Sequence, residues 1–340
     1  MLKLGLIGAG VMGRRYVEAY SEDPNGRVVA IADLDHERRV SLADRFGVGG
    51  RYADFDAMLD AERLDAVIVA TPDFAHRAPL ATALDAGLHV LCEKPLATTV
   101  DDAAAMAFAA AASDRQVMVN FGNRHRPAAR RAYELIRSGG IGAVRYARMR
   151  LNEKAEKTAT LAWSAQTSAL WFLLSHVTDF VQWMVDDVVV DVYAANGRAR
   201  DGAATTTTAV LNFSGGATAV LESTWDMPSE YPRDIDLAIT VHGADGVIDL
   251  DMGEQGLRVS GPGRTASVMW DAAAGGSAED WWNRSCRSFT ASVTAGEPVS
   301  PNARDGLQTV MVLAGLQHSL DTGAGVDLAA TWPDAAKLLR

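Results

Sequence analysis

The sequence contains very little cysteine. Its two cysteines, Cys92 and Cys286, cannot build a disulfide framework, and neither lies in a C-x-x-C pair or another spacing typical of metal ligands. This cysteine usage is typical of a reducing compartment. The sequence therefore predicts a protein without structural disulfides and without a metal site.

Long hydrophobic runs are also missing. The longest uninterrupted apolar run is the alanine-rich segment 103–112, about half of the roughly 20 residues that a membrane helix needs. The first residues lead directly into a strand-like segment, without the basic stretch and long apolar run of a signal peptide. We expect a soluble, cytoplasmic protein with no membrane partner.

Basic residues are outnumbered by acidic ones. The chain has 32 Lys and Arg against 43 Asp and Glu, so its formal net charge is −11. Such a chain lacks the basic footprint that nucleic acid or an anionic membrane surface requires. With 48% apolar and 22% charged residues, the composition is that of an ordinary globular protein and argues against disorder and fibrous repeats.

What the sequence does contain is a regular alternation of strand-like and helix-like segments before residue 122. This order is typical of βαβ units around a parallel sheet that is buried on both faces. At 340 residues the chain is long enough for two domains. We predict that residues 1–121 form an α/β, Rossmann-type, doubly wound domain. The predicted strands are Leu4–Gly8, Val28–Asp33, Ala66–Ala70, His89–Cys92 and Val117–Phe121, and the predicted helices are Val11–Tyr20, His36–Phe46, Ala75–Ala86 and Val100–Ala112.

The pattern changes after this first domain. A charged helix-like stretch, Pro127–Ser138, ends at two glycines and is followed by the strand-like run Val144–Asn152. A hairpin is predicted over Leu211–Val220, and residues 235–259 alternate apolar and polar side chains through glycine-containing turns. These features predict a second α/β domain, residues 122–340, with a mainly antiparallel sheet. One face of such a sheet packs on the core, which leaves the other for water or a partner subunit.

A glycine-rich turn, G-x-G-x-x-G, stands directly between the first predicted strand and the first predicted helix. Gly8 allows the tight turn, Gly10 lets the backbone approach a pyrophosphate, and Gly13 lets the helix pack closely on the strand. The helix N-terminus, with Val11 and Met12 in its first turn, offers free N–H groups and the positive end of a dipole. We infer a dinucleotide site at this turn; the alternative is a purely structural connection.

An acidic residue, Asp33, ends the second predicted strand, twenty residues after the last of these glycines. Its carboxylate can accept hydrogen bonds from an adenosine ribose and would repel a 2′-phosphate, so the sequence favours NAD over NADP. His36, Arg38 and Arg39 follow closely and would clamp a phosphate if their loop turned inward. NADP therefore stays open as an alternative.

Polar residues follow two further buried strands. Thr71 and Pro72 come after one strand, and Glu93 and Lys94 come after another. Because ligands of an open parallel sheet bind beyond the carboxyl ends of its strands, we expect these residues to face the same crevice as the glycine turn. Burial and a cationic nicotinamide ring would both lower the pKa of a lysine there, as an acid/base role requires. The alternatives are a surface pair of Glu93 and Lys94, or a lysine that contacts a cofactor phosphate.

The second half holds a candidate histidine. Residues 169–184 have the apolar spacing of one amphipathic helix, and His176 and Asp179 lie three residues apart on one of its faces. A histidine near a substrate can exchange a proton with a reacting hydroxyl, and a carboxylate can orient the ring. A purely structural histidine is the alternative.

Several of these motifs together resemble the glucose-fructose oxidoreductase, inositol dehydrogenase and rhizopine catabolism (Gfo/Idh/MocA) family. The shared motifs are the N-terminal glycine turn, Thr71-Pro72 followed by His76, the tripeptide Glu93-Lys94-Pro95, and a helix that carries His176, Asp179 and Trp183. The resemblance covers nearly the whole chain and implies a large open sheet in the second half, which also mediates oligomerisation. It implies that Lys94 lies between the nicotinamide and the substrate hydroxyl, that His176 is catalytic, and that His76 belongs to the cofactor site.

One position departs from the family pattern. Family members commonly carry an aspartate one helical turn before the histidine, where this sequence has Phe172. Phenylalanine can neither bind a hydroxyl nor transfer a proton. Either Lys94 and His176 suffice, or another group such as Ser175 or Lys157 contributes, or this member has lost ordinary dehydrogenase chemistry.

Further substrate contacts are predicted at Asp179, Arg124, Asn152 and Trp163. Arg124 opens a basic segment of the family type, and Trp163 can stack on a sugar ring. The alternatives are an arginine that caps the cleft between the domains, a solvated charged loop at Asn152, and a core tryptophan.

The sequence therefore predicts an NAD-dependent oxidoreductase, a dehydrogenase that oxidises a secondary hydroxyl of a sugar, a sugar derivative or a cyclitol by hydride transfer. Two alternatives stay open. One is an enzyme that uses bound NAD transiently for elimination or glycosidic cleavage, and the other is a module that senses dinucleotide or sugar without turnover. We expect a homodimer or homotetramer that forms through the sheet of the second domain, and no nucleic-acid partner.

Overall fold

The computed structural model describes residues 1–156, 168–197, 205–252, 256–261, 264–269 and 281–339. Its contacts divide the chain into two compact units. Unit 1 consists of Met1–Gly122, Glu279–Val310 and Leu338–Arg340, and unit 2 of Asn123–Ala278 and Met311–Lys337. The first boundary lies next to the predicted one at residue 121. The two late segments of unit 1 differ from the predicted division, which assigns them to the second domain.

The sheet of unit 1 has six parallel strands. Their bounds are β1 Leu2–Ile7, β2 Gly26–Ala32, β3 Gly50–Tyr52, β4 Ala66–Val69, β5 His89–Cys92 and β6 Val117–Val119. The strand order is β3-β2-β1-β4-β5-β6, which is the doubly wound order of a Rossmann domain. This confirms the predicted fold of the first half. All four residues of β4 are buried, as expected for a strand that is covered on both faces.

The helices of the described chain are, in order, α1 Val11–Ser21, α2 His36–Phe46, α3 Phe55–Ala61, α4 Arg77–Asp85, α5 Val100–Ala111, α6 Pro127–Arg137, α7 Ser175–Val185, α8 Trp281–Ala295, α9 Ala303–Thr322, α10 Leu328–Thr331 and α11 Pro333–Lys337. None of the described helices is long and apolar enough to cross a membrane.

Helix α8 explains why a late segment belongs to unit 1. Its side chains Trp282, Cys286 and Phe289 lie in the same buried apolar cluster as Leu6 and Tyr16 of the Rossmann sheet and α1. Burying such side chains contributes about 1.5–3 kcal/mol each. The late helix is therefore part of the core of the nucleotide-binding unit.

The sheet of unit 2 has nine strands in the described chain. Their bounds are β7 Val144–Lys154, β8 Val189–Asn196, β9 Thr206–Phe213, β10 Thr218–Met227, β11 Ile235–Gly243, β12 Val247–Asp251, β13 Gly256–Gly261, β14 Arg264–Met269 and β15 Val326–Asp327. The order is β14-β13-β12-β11-β7-β10-β9-β8-β15. The pair of β10 and β7 is parallel and the other pairs are antiparallel, which confirms a mainly antiparallel sheet. The predicted hairpin is confirmed by β9 and β10.

One predicted element is wrong in its geometry. The sequence predicts a single α-helix over residues 169–184, but Leu170–Leu174 forms a π-helical turn and the α-helix proper begins at Ser175. The Ser175 hydroxyl donates to the carbonyl of Phe172 (3.1 Å) and so competes for an acceptor of the helical hydrogen-bond ladder. Such π-turns within helices occur frequently at functional sites.

Candidate active site

The glycine-rich turn between β1 and α1 has the geometry of a nucleotide-binding turn. Gly8 has φ +103°, in the region that favours glycine, and a Cβ there would lie 2.5 Å from the carbonyl oxygen of Ala70. A Cβ on Gly13 would overlap the carbonyl of Gly8, so α1 packs directly on the strand end. At Gly10 the space that a Cβ would occupy is open to 4 Å. The turn is therefore tightly packed except where a pyrophosphate must approach the backbone.

The N-terminus of α1 offers unpaired donors to an anion. None of the described side chains caps this helix end, and its first turn holds no acidic residue. The N–H of Arg14 makes a helical hydrogen bond to the Gly10 carbonyl at 3.0 Å. The N–H groups of the preceding residues, Val11 to Gly13, therefore have no acceptor within the helix. Together with the helix dipole they form a site suited to a diphosphate.

Asp33 is fixed beside the glycine turn. Its carboxylate accepts hydrogen bonds from the N–H groups of Ala9 (2.6 Å) and Asp35 (2.8 Å). Of the basic residues that follow, Arg39 donates to the Asp33 carbonyl (2.9 Å), and Arg38 forms an exposed ion pair with Asp35 (3.2 Å). Both guanidinium groups are thus engaged within their own loop, and the fixed carboxylate favours a ribose 2′-hydroxyl over a 2′-phosphate.

The residues after β4 and β5 share one edge of the sheet with the glycine turn. Strands β1, β4 and β5 are adjacent and parallel, so their carboxyl ends lie side by side. The structure therefore places Thr71 and Lys94 at the edge that carries Gly10, as the sequence predicts. Such an edge is where open α/β sheets bind their ligands.

Thr71 and His76 use their polar atoms within the protein. The Thr71 hydroxyl donates to the Ala75 carbonyl at 3.2 Å. Ala75 is the last residue of a short 3₁₀ turn that follows Pro72. The buried His76 ring lies between the carbonyls of Thr71 (3.1 Å from Nε2) and Pro95 (3.0 Å from Nδ1). Burial lowers the pKa of His76 from its ordinary value. His76 thus links the loops after β4 and β5, and its predicted contact with the cofactor stays a prediction.

Glu93 and Lys94 differ in exposure. Glu93 is 6% exposed and Lys94 is half-buried, so the alternative of a surface pair is wrong. The Glu93 carboxylate accepts the Tyr16 hydroxyl at 2.6 Å through one oxygen and the Lys94 N–H at 3.2 Å through the other. The Lys94–Pro95 peptide bond is cis. Glu93 therefore holds the backbone that carries the lysine.

In unit 2, Arg124 and Asp179 form a buried ion pair. The guanidinium donates to both carboxylate oxygens, at 2.9 and 2.5 Å, and the two side chains are only 6% and 1% exposed. The guanidinium also lies 5.7 Å from the ring centre of Trp183, which stacks on Tyr133. Since protein covers both charged groups, we expect them to act on a substrate by holding their neighbours. Their direct contact with substrate stays a prediction.

His125, next to Arg124, is a half-buried histidine whose buried Nε2 has no hydrogen-bond partner among the described residues. Burial, together with the positive charges of Arg130 and Arg124, lowers the pKa of this ring to about 4. The ring is therefore neutral at pH 7 and resists protonation.

His176 is the second residue of α7 and is half-buried. Phe172, the residue in place of the family aspartate, is half-buried in the π-helical turn that precedes α7. Asp179 lies one turn after His176, and Arg124 binds both of its carboxylate oxygens. The catalytic role of His176 stays a prediction.

The other predicted substrate contacts differ in what the structure says about them. The Asn152 amide is buried between strands, where it donates to Glu222 (3.2 Å) and accepts from the Thr224 N–H (3.0 Å). Because side chains alternate along a strand, Asn152 is on the same sheet face as Arg150, and the buried Leu151 is on the other face. Its amide therefore acts first as a link between strands, and substrate contact stays a prediction. Trp163 and Lys157 lie outside the described residues.

Sequence reasoning missed three buried polar residues that stand behind Lys94, namely Tyr16, Asn120 and Ser285. Tyr16 lies on the apolar face of α1, where the pattern indicates only core. Asn120 is the first residue after β6, and Ser285 belongs to a helix that the sequence analysis did not assign to this domain. No local signal connects residues so distant in the chain.

Two family models match the chain. The model of the oxidoreductase family with an NAD-binding Rossmann fold (GFO_IDH_MocA) matches residues 2–121, and the model of the GFO/IDH/MocA C-terminal domain matches residues 129–249. Together they cover more than two thirds of the chain.

Named relatives and a solved structure span nearly the whole chain. A D-apiose dehydrogenase from Paraburkholderia graminis is 27% identical, over 98% of this chain and 91% of that protein. An inositol 2-dehydrogenase from Saccharopolyspora erythraea is 27% identical, over 96% of each. The structure of a levoglucosan dehydrogenase in complex with NADH has the same fold, with a TM-score of 0.87 at 24% identity, over 96% of this chain and 99% of that one. The chain belongs to the Gfo/Idh/MocA family of oxidoreductases, and unit 1 contains its NAD-binding Rossmann domain.

Proposed function

We propose that this protein is an NAD-dependent dehydrogenase that oxidises a secondary hydroxyl of a sugar, a sugar derivative or a cyclitol. The observation that carries the proposal is the shared sheet edge, which brings an uncapped helix N-terminus and a half-buried lysine together. The relatives named for D-apiose and inositol support sugars and cyclitols as the substrate class. A neutral polyol also meets no electrostatic barrier from a chain of net charge −11.

The residues of unit 1 fit the dinucleotide. The open space at Gly10 and the N–H groups of Val11, Met12 and Gly13 would hold the pyrophosphate, and Asp33 would hold the adenosine ribose. When bound, NAD supplies the acceptor for the hydride of the substrate carbon.

Lys94 is the residue that we assign to the proton. In its neutral form it accepts the proton of the substrate hydroxyl, and His176 assists, by analogy with the family motif. A lysine accepts a proton only when neutral, so we expect the oxidation rate to rise with pH until Lys94 is fully deprotonated. The pH profile of kcat measures this.

The test is the variant Lys94→Ala, assayed by the absorbance of reduced nicotinamide on a panel that contains D-apiose, inositol and levoglucosan. We expect loss of turnover, with NAD affinity by calorimetry within about threefold of the parent, because the lysine is assigned to the chemical step. Lys337→Ala, an exposed lysine on α11, is the matched control and should retain full activity. Full activity of Lys94→Ala would remove the lysine from the mechanism.

Phe172 favours one second candidate, a module that senses dinucleotide or sugar without turnover. The residue supplies no group for proton transfer where the family commonly has an aspartate. NAD binding without turnover on the whole panel would support this candidate. Release of NADH in stoichiometric amount would instead distinguish a dehydrogenase from an enzyme that uses bound NAD transiently.

The exposed face of the unit 2 sheet supports a homodimer or homotetramer. Tyr193, Val210 and Val220 are cross-strand neighbours on β8, β9 and β10, and Tyr193 and Val210 are 44% and 36% exposed. An apolar row of this kind suits a second copy of the same sheet. Sedimentation should show an oligomer that Val210→Lys weakens; a monomeric parent protein would contradict the proposal.

The two cysteines are free and buried, which supports the cytoplasm as the compartment.

A further inference from the structure

We infer that Tyr16, Asn120 and Ser285 are positioning residues for Lys94, because they form a buried chain of hydrogen bonds that holds the Glu93 carboxylate behind the lysine. The inference rests on the proposed role of Lys94 as proton acceptor and adds residues that do not touch the substrate.

The chain of hydrogen bonds is continuous. The Ser285 hydroxyl donates to the Asn120 side-chain carbonyl (2.6 Å), the Asn120 amide donates to the Tyr16 hydroxyl (2.6 Å), and the Tyr16 hydroxyl donates to Glu93 Oε1 (2.6 Å). The other oxygen, Oε2, accepts the N–H of Lys94 at 3.2 Å. Four side chains thus connect α8 to the backbone of the lysine.

All four side chains in this series of hydrogen bonds are buried. Tyr16 and Ser285 are 0% exposed, Asn120 is 2% exposed and Glu93 is 6% exposed. A buried carboxylate is costly unless hydrogen bonds satisfy it, and partly satisfied buried networks are destabilising. The orientation of the Glu93 carboxylate therefore depends on the donors that this chain supplies.

The direction of the chain is fixed by its chemistry. An ionised Glu93 carboxylate only accepts hydrogen bonds, so Tyr16 must donate to it, and the Tyr16 oxygen is then free to accept from Asn120. Burial, reinforced by the negative charge of Glu93, raises the pKa of Tyr16, so the phenol keeps the proton that it donates. The Asn120 amide also donates a longer hydrogen bond (3.4 Å) directly to Glu93 Oε1, so both Tyr16 and Asn120 supply donors to the carboxylate.

The Tyr16 ring is held independently of its hydroxyl. It packs against Trp282 at 4.9 Å between ring centres, and the Arg15 guanidinium lies over Trp282 at 4.5 Å. Replacing Tyr16 with phenylalanine therefore keeps the packing and removes only the hydrogen bond. Glu93 Oε1 then loses its 2.6 Å donor and keeps only the longer hydrogen bond from the Asn120 amide (3.4 Å). The carboxylate is therefore held more weakly against the Lys94 N–H.

A matched control lies one turn along the same helix. The Tyr20 ring is 1% exposed, and its hydroxyl donates to the Cys286 carbonyl at 3.0 Å. This hydrogen bond runs to α8 rather than to Glu93. Tyr20→Phe therefore removes an equally buried tyrosine hydroxyl from the same helix and measures the purely structural cost.

The kinetic test compares Tyr16→Phe, Ser285→Ala and Tyr20→Phe with a polyol that the parent protein oxidises. Because misplacement of a catalytic group by about 1 Å costs up to about 100-fold, we expect Tyr16→Phe to lower kcat by about 10- to 100-fold. The KM for NAD should stay within about threefold, since the glycine turn is untouched. Ser285→Ala should lower kcat less, Ser285→Thr should restore it, and Tyr20→Phe should retain it. Equal kcat values for Tyr16→Phe and Tyr20→Phe would overturn the inference.

A second measurement does not depend on turnover. Hydrogen exchange at the Lys94 amide reports directly on the bond from that N–H to Glu93 Oε2. We expect faster exchange in Tyr16→Phe and Ser285→Ala and the parent rate in Tyr20→Phe; an unchanged rate in Tyr16→Phe refutes the inference. If Lys94→Ala is fully active, the proposed role of the lysine fails. The exchange result still decides whether the series of hydrogen bonds from Ser285 to Glu93 fixes the backbone at Lys94.

Discussion

Breaking the buried ion pair of Arg124 and Asp179 is expected to cost far more free energy of unfolding than breaking an exposed pair. Removal of one partner leaves a charge that is at most 6% exposed without its bidentate counter-ion. Such a buried, uncompensated charge typically costs about 3–5 kcal/mol. Arg124→Met and Asp179→Leu should each lower the free energy of unfolding by about this amount.

The double variant separates the charge effect from lost packing. With both charges gone, neither partner is left as an uncompensated buried charge, so the double variant should be more stable than either single one. It should still be less stable than the parent by about 0.5–2 kcal/mol, because the contact of the guanidinium with the Trp183 ring is lost in every Arg124 variant.

The assay is urea unfolding followed by circular dichroism, with the exposed pair of Lys337 and Asp334 as the control. Those side chains lie 2.7 Å apart but are 71% and 93% exposed, so their removal should cost less than about 1 kcal/mol. If the single variants of Arg124 and Asp179 cost no more than this control, or if their costs simply add in the double variant, the reasoning about buried charge is refuted.

Three further perturbations test other parts of the structure. The pKa of His125 is lowered from 6.5 to about 4 by burial and two arginines, so the unfolded state binds the proton more readily. The stability that is present above pH 6.5 should therefore fall by up to about 3 kcal/mol as the pH drops to 4. In urea unfolding, His125→Gln should flatten this part of the pH profile of stability, and a profile parallel to that of the parent protein would contradict the prediction. Gly10→Ala places a methyl group in open space, so we expect a loss of at most about 1 kcal/mol in stability but at least a tenfold weaker NAD binding by calorimetry, on the order of 1.4 kcal/mol; unchanged affinity would show that the pyrophosphate does not approach there. Asp33→Ser removes the carboxylate beside the turn and should shift the ratio of kcat/KM for NAD over NADP by at least about tenfold toward NADP; an unchanged ratio would mean that Asp33 does not select the cofactor.

Local sequence patterns predicted much of the fold. They predicted the glycine turn, the strand that ends before Asp33 and the strand before Glu93, because parallel strands that are buried on both faces are short apolar runs bounded by loops. The π-helical turn before His176 was not readable, since apolar spacing does not distinguish a π-turn from a continuous α-helix. Strand β3 was missed as well, because its three residues show no periodicity.

The sequence by itself determined that this chain has a dinucleotide turn, an acidic residue after the second strand and a lysine at the carboxyl edge of the same sheet, since each of these follows from residues close together in the chain. Only the tertiary structure decided what surrounds them. It shows that Asp179 is bound by Arg124, that Asn152 is a link between strands, and that Lys94 stands on a buried chain of side chains reaching Ser285. These partners lie 55 to 165 residues apart. A buried polar group takes whichever partner the packed core brings within hydrogen-bond distance, and no local sequence pattern encodes that choice.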